Sequence, residues 1–250
     1  MDLNKEKKII DTIRRCQRNW DHSKIISEEH VDHWIYIATH APAKQDESYF
    51  NLYVIKNRQK IDYLLNYTYC HNLEVAPGNM KGLIRNPQMG ANVYFLFTLK
   101  TPPVNRQIHA TGVFFDQTGK DLPEVTMNGH MAIGIASGLV AQSAASLGYK
   151  TGFNVCHGQK DSSENEIWKS ELGISKDEKI TLGLGIGYPQ EGRARNEHNE
   201  TEFLVGPFPS TRHNINDPHV DVDGVRHPIP KIHYNIHSYH LRDINVVKIN

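Results

Sequence analysis

Seven consecutive residues, Val93-Tyr94-Phe95-Leu96-Phe97-Thr98-Leu99, carry no charge. Their aromatic and β-branched content predicts a strand. Side chains alternate between the two faces of a strand, so a nearly continuous apolar run has to be covered on both. A sheet with one wet face does not meet that demand. The chain therefore needs layers on either side of this strand, and the flanking sequence has to supply them.

Helical and extended patterns alternate around it. Residues 3–15 place Leu3, Ile9, Ile10 and Ile13 among Lys and Glu, an uneven apolar stripe that predicts a helix. Ser27-Glu28-Glu29 opens a second helix, with a good N-cap and acids in the first turn. Val31, Trp34, Ile35 and Ala38 follow at helical spacing, and Ala41-Pro42 stops it. Phe50 to Ile55 predicts a strand and residues 61–69 a helix; Ala76-Pro77-Gly78-Asn79 marks a turn. Residues 101–126, with three prolines, are expected to form a loop around a short Val113-Phe114-Phe115 piece.

Residues 129–147 predict the longest helix. Met131, Ile135, Leu139 and Gln142 share one face, and Gly134, Ala136, Gly138, Ala141, Ala144 and Ala145 keep the helix thin. Small residues allow close approach of another helix, either within the core or from a second subunit. Gly148 suits the position just past its end. A short helix over about 164–171, a strand over 180–187 and a last strand over 244–249 complete the pattern. Residues 196–240, rich in His, Asn, Asp and Pro, show little periodic apolar pattern. These elements predict an α+β fold, a single domain with a sheet flanked by helices.

Bulk properties narrow the partners. The chain has 250 residues, with 28 Lys+Arg balanced by 28 Asp+Glu. That balance argues against bulk capture of nucleic acid or of an anionic membrane. No apolar run approaches the roughly 18 residues of a membrane span, and the charged first eight residues do not resemble a secretory signal. Cys16, Cys70 and Cys156 are odd in number and widely spaced, which reads as reduced thiols and a cytoplasmic setting.

Chemistry is concentrated in Arg14-Arg15-Cys16-Gln17-Arg18. Arginine grips phosphate well, because its planar fork donates two hydrogen bonds together. A second basic pair, Arg193 and Arg195, follows a strand ending in Gly187-Tyr188-Pro189, and the two groups can converge on one phosphate.

In this setting the basic segment resembles the N-terminal Arg-Arg-Ser-x-Arg motif of the nitroreductase family of flavoproteins, with Trp20 near the aromatic that follows it. Ala41-Pro42-Ala43, then a polar loop and a strand, is similar to that family's Ala-Pro-Ser segment. Leu147-Gly148 with Tyr149 to Phe153 resembles the end of its central helix and its flavin-facing loop. Ile186-Gly187-Tyr188-Pro189 resembles its late Leu-Gly-Tyr-Pro. The matches run in order over residues 9–195.

The resemblance implies a nitroreductase-like domain over residues 1–195 with a central, mainly antiparallel sheet. Residues 196–250 would be an extension completing that domain or the dimer. It implies a homodimer with the active site at the interface, FMN as cofactor, NAD(P)H as electron donor and a small-molecule acceptor. Carried over by position, Arg14, Arg15, Cys16 and Arg18 would hold FMN, Arg14 at the phosphate and Arg18 toward the pyrimidine edge. Pro42, Ala43, Lys44 and Asp46 would line the ring, and Phe153, Asn154 and Val155 would present backbone groups to it. Arg193 and Arg195 would close on the phosphate. Asn86, or its neighbours Arg85 and Gln88, would add one ring contact. Residues 241–250 are expected to pair as a strand with the other protomer. No catalytic side chain and no metal are implied, because the hydride chemistry belongs to the flavin.

The motif is altered in three places. Cys16 stands where the family has Ser, and a thiol donates a weaker hydrogen bond. Asp46 stands where Asn is usual, and Ser48-Tyr49-Phe50 replaces Gln-Pro-Trp. An ionised Asp46 would oppose an anionic reduced ring unless Lys44 offsets it. Two rival readings remain at this stage. One is a flavin-binding or storage protein without turnover. The other is a metal-dependent hydrolase built on His233, His237 and His240. The adjacent pair Cys156-His157 reads as accidental.

Overall fold

The computed structural model describes residues 2–14, 16–18, 20–43, 48–65, 67–68, 87–100, 123–157, 162–190, 200–204, 219–222, 225–228 and 231–235. Its centre is a four-stranded sheet, all neighbours antiparallel, with order β1-β2-β4-β3. The strands are β1 (Phe50–Ile55), β2 (Val93–Leu99), β3 (Lys150–Asn154) and β4 (Lys179–Gly187). The helices are α1 (Leu3–Ile13), α2 (Glu28–Thr39), α3 (Arg58–Leu65), α4 (Pro123–Ser146) and α5 (Ser163–Leu172). This is the α+β architecture expected from the sequence.

β2 is the axis of the molecule, and the first six of its seven residues are buried. Val93, Phe95 and Phe97 face one layer, where Val31, Trp34 and Ala38 of α2 and Ile133, Ala136 and Val140 of α4 meet them. Tyr94 and Leu96 face the other, with Ile61, Leu64 and Leu65 of α3, Met89 and Trp168 of α5. The two-sided cover demanded by the apolar run is thus provided by helices on both faces.

β4 lies beside β2 and solves a different problem. Leu184 and Ile186 point into the α2/α4 layer. The intervening Gly183, Gly185 and Gly187 face the other way, and here the missing side chains matter. A Cβ on Gly185 would overlap the Gln88 carbonyl and press on Ala91, and one on Gly187 would overlap Asn92. The 3-10 turn Pro87–Gly90 therefore lies directly on the sheet. Arg58 holds it there, donating to the carbonyls of Gly90 at 3.0 Å and Ala91 at 2.8 Å while Asp62 pairs with its other edge. A Cβ on Gly183 would strike the Tyr94 hydroxyl, which is hydrogen-bonded to His157 Nε2 at 2.7 Å.

Several boundaries differ from the sequence reading. α1 ends at Ile13, so Arg14 is its C-cap rather than part of its last turn. α2 begins where Ser27 predicts, with the Ser27 hydroxyl accepting from the His30 N–H. α3 starts at Arg58, before the expected 61. α4 starts at Pro123, inside the stretch expected as loop, because proline at a first helical turn loses no intrahelical hydrogen bond. Gly148 does end this helix, with φ +89°. The stretch after it, read as a flavin-facing loop, is strand β3, paired to β4 with Gly152 opposite Gly185.

Beyond residue 199 two further two-stranded pairings occur. β5 (Glu200–Leu204) pairs with β8 (Lys231–Asn235), and β6 (His219–Val222) with β7 (Val225–Pro228). The expected strand at 244–249, its exchange between protomers and the Val113-Phe114-Phe115 piece lie outside the described residues. Among the described residues, no helix is long and apolar enough to cross a membrane.

Two consequences are measurable. Gly185→Ala should destabilise the fold by about 1–3 kcal/mol, because backbone as well as a side chain must move to admit the methyl; chemical denaturation reads it. Acid should also weaken the fold through His157. Burial holds this imidazole neutral in the folded protein down to about pH 3, against 6.5 for the ordinary group. The unfolded chain takes up a proton near 6.5 that the folded chain refuses. Stability is therefore full above pH 6.5 and falls below it, by up to about 1.4 kcal/mol per unit, until about pH 3. His22, also lowered mainly by burial, adds in the same direction. Denaturation of the wild type between pH 6.5 and 4.5 should show a steeper loss than His157→Gln, and equal slopes would contradict it.

Candidate functional site

The residues after α1 leave the helix and run along the end of the sheet. Gln17 N–H donates to the Thr151 carbonyl at 2.8 Å, which attaches the segment to β3. Cys16 Sγ donates to the Phe153 carbonyl at 3.7 Å. Gln17 is buried. Further along, Trp20 forms an antiparallel bridge with Pro189, and Asp21 N–H donates to the Tyr188 carbonyl at 2.9 Å. The arm thus crosses from the end of β3 to the end of β4.

Two side chains fasten it to the turn on the glycine face. Asn92 donates from Nδ2 to the carbonyls of Asp21 at 2.9 Å and Lys24 at 2.8 Å, and its Oδ1 accepts from Tyr188 N–H at 3.1 Å. His22 Nε2 lies 2.7 Å from the Gly90 carbonyl. The neutral ring that burial favours serves here as a donor to that carbonyl.

Close packing between arm, turn and strand depends on one glycine. A Cβ on Gly152 would sit 2.7 Å from the Gln17 carbonyl and 3.1 Å from Gln88 Cβ. Residues 17, 88 and 152 thus touch with no room for a side chain between them. The strand-end backbone of Thr151 to Phe153 is joined to the arm that carries Cys16 and Arg18.

The expected site residues divide as follows. Cys16 and Phe153 are brought together, and Arg18 follows Gln17, the residue bonded to Thr151. Asn154 is buried and turns its side chain inward, whereas Val155 is 68% exposed at the strand end. Arg14 stays near its own helix, its Nε 3.4 Å from Asp11. Pro42 and Ala43 follow α2, exposed and half-buried. Arg15, Lys44, Asp46, Asn86, Arg193 and Arg195 lie outside the described residues, as does Arg85. Of the three neighbours considered for an extra contact, Gln88 is the one whose packing against Gly152 is seen.

Sequence reasoning missed His157 and Tyr94. The adjacent Cys156-His157 pair carries no signal in the sequence, yet His157 is buried against Tyr94 and Trp168. In the sequence Tyr94 counts only as one residue of the apolar run of β2. The hydroxyl of a tyrosine in a two-sided strand was the available signal, since a buried phenol needs a partner.

Known structures share this fold. Nitroreductase A from Vibrio parahaemolyticus matches with TM-score 0.53 and 16% identity over 76% of this chain and 70% of that one. An NADPH:FMN oxidoreductase from Vibrio harveyi complexed with NAD+ matches with TM-score 0.52 and 16% identity, over 76% of this chain and 71% of that one. The hypothetical oxidoreductase YcnD from Bacillus subtilis matches with TM-score 0.53 and 20% identity, over 78% of this chain and 69% of that one. At these identities the likeness is one of fold. A search of curated proteins found no match. The sequence pattern described as the nitroreductase family matches residues 12–188, from the last turn of α1 to the end of β4, which spans the arm, the strand end and the glycine-faced turn together. The chain belongs to the nitroreductase family.

Proposed function

We propose that the protein is an FMN-dependent oxidoreductase that passes electrons from NAD(P)H to a small organic acceptor, as a cytoplasmic homodimer. The observation that carries the reading is the convergence of the Cys16–Arg18 arm on the end of β3, in a chain of this family. The Vibrio harveyi protein of the same fold is an NADPH:FMN oxidoreductase.

The donor set suits such a cofactor. FMN carries a dianionic phosphate at one end and a planar ring with polar edges at the other. Arg18, one residue from the Gln17–Thr151 hydrogen bond, would supply a cation near β3. A cation near the pyrimidine edge of a flavin favours its reduced, anionic form, so this arginine would ease hydride acceptance. Arg14 and Arg15, with Arg193 and Arg195, are the proposed phosphate grip; Arg14 would exchange its contact with Asp11 for the ligand. Phe153 to Val155 would offer main-chain groups to the ring. Pro42, Ala43, Lys44, Asp46 and Asn86 complete the proposed set. When bound, FMN supplies the hydride chemistry, and the protein holds and orients it.

Cys16 deserves a specific role. Its thiol is already engaged with the Phe153 carbonyl, so it links arm to strand rather than serving as a strong phosphate donor. The grip on phosphate in this protein would then depend on arginine more than in relatives with Ser.

The second subunit has a matching surface. Met127, Met131, Ile135 and Leu139 of α4 recur every fourth residue and are all exposed, from 53% at Met127 to 37% at Leu139. Gly134 and Gly138 lie along the same face, where an added Cβ would meet nothing within 4 Å. An apolar helical stripe with room for close approach suits the same stripe of another copy.

Titration of the purified protein with FMN should quench flavin fluorescence and give a yellow complex that NADH or NADPH bleaches anaerobically. No binding would sink the proposal; binding without bleaching would favour a flavin carrier. Arg18→Gln should weaken FMN at least about tenfold, since a charge-assisted hydrogen bond contributes about 1.5–3 kcal/mol. An unchanged dissociation constant would remove Arg18 from the site. Ile135→Glu should turn the dimer into a monomer by light scattering and weaken FMN at least about tenfold. A dimeric Ile135→Glu variant would show that α4 is not the interface.

A further inference from the structure

A line of buried hydrogen bonds runs beneath the strand end. The backbone N–H of Cys156 donates to Asn154 Oδ1 at 2.7 Å. That contact orients the amide, because only the oxygen end accepts from an N–H. Nδ2 is then the end that donates to the Tyr94 oxygen, at 3.0 Å. Tyr94 has one hydrogen left to give, and His157 Nε2 lies 2.7 Å away. The tautomer that gives this hydrogen a partner has Nε2 accepting and the ring proton on Nδ1. The Asn154 orientation follows from a main-chain donor that cannot reverse.

The far end of the line is anchored too. The His157 carbonyl accepts from Asn165 Nδ2 at 3.4 Å, in the first turn of α5, whose N-cap Ser162 accepts from Asn165 N–H. Trp168 meets the His157 ring edge-on at 4.9 Å between centroids. Tyr94, Asn154, His157 and Trp168 are all buried. Burial keeps the imidazole neutral, which leaves Nε2 able to accept the Tyr94 hydrogen.

What this line holds is a turn. Asn154 Oδ1 accepting from the N–H two residues on is an Asx turn, and it closes β3. Val155 stands at its apex, exposed, between the inward-held Asn154 and His157. Immediately before it, the Phe153 carbonyl receives Cys16. We infer that the Asn154–Tyr94–His157 line is a positioning device that sets the main-chain edge from Phe153 to Cys156. Tyr94 and His157 act through Asn154, from the opposite side of the strand to the exposed edge. The inference rests on the FMN reading for what that edge meets; the ordering of the edge itself does not.

The test compares Tyr94→Phe and Asn154→Ala with Ile61→Val. Ile61 is fully buried in the same layer but outside the line, so its truncation supplies a purely structural loss. In the cofactor-free protein, amide hydrogen exchange of the segment containing Val155 to His157 should rise at least about tenfold in both line variants, and not in Ile61→Val. With FMN bound, both should shift its two-electron reduction equilibrium in the same direction by about tenfold, roughly 30 mV, with the double variant no further displaced. Ile61→Val should leave it in place. Exchange in the line variants that rises no more than in Ile61→Val, or an unmoved potential with FMN bound, overturns the inference. Wild-type protein that fails to take up FMN refutes the cofactor reading instead, and the exchange measurement then decides the line alone.

Discussion

The structure depends on one constraint, the bare face of β4. Alternation of Leu184 and Ile186 with Gly183, Gly185 and Gly187 gives a strand that is aliphatic on one side and flat on the other. The aliphatic side packs as any buried strand does. The flat side lets a turn of main chain lie at contact distance, which a strand with ordinary side chains would forbid. Arg58 and Asn92 then exploit that closeness, one binding the turn's carbonyls and the other reaching the 21–24 segment. Glycine weakens a strand in isolation. Here that cost is offset by contacts that only a missing side chain permits.

The N-terminal arm inherits its place from this arrangement. Its links to the sheet include Cys16 to Phe153, Gln17 to Thr151, Trp20 to Pro189 and Asp21 to Tyr188. Each hydrogen bond contributes about 0.5–1.5 kcal/mol net, less than the entropy of ordering the residues between them. Burial of Gln17 and Trp20, and the Asn92 and His22 contacts, make up the difference. The arm and the glycine-faced turn are therefore one unit, and a disturbance at Gly185 or Arg58 is transmitted to Cys16 and Arg18 without touching them.

Legibility in the sequence followed the range of the interactions. β1 and β2 were placed to the residue, because a strand rich in aromatic and β-branched side chains carries its own signal. The Ser27 cap marked α2 for the same reason, being a contact three residues long. β3 has little strand character in Lys-Thr-Gly-Phe-Asn and is made a strand by β4, so it was invisible locally. Pro123 lies in the stretch expected as a loop, although proline suits a first helical turn. At the site, the link of Cys16 to Phe153 joins two segments that the family resemblance assigned to one cofactor. The link of Tyr94 to His157, 63 residues apart, belongs to no local pattern and to no motif, and only the fold reveals it.

The two layers differ in kind, and that difference locates the strand end between two demands. On the α2/α4 side the core is mostly hydrocarbon and aromatic, with one polar contact group where the Tyr149 hydroxyl meets His30 and Tyr188. On the α3/α5 side a tyrosine, an asparagine and a histidine sit in the same low-polarity interior, where each donor and acceptor must be matched or cost about 1–3 kcal/mol. A hydrocarbon core tolerates repacking and small shifts. A directed line of hydrogen bonds does not, since moving one member breaks two contacts. A main-chain edge that has to keep its position is therefore better supported from the polar side. β3 reaches that side through Asn154, the residue that both closes the strand and begins the line.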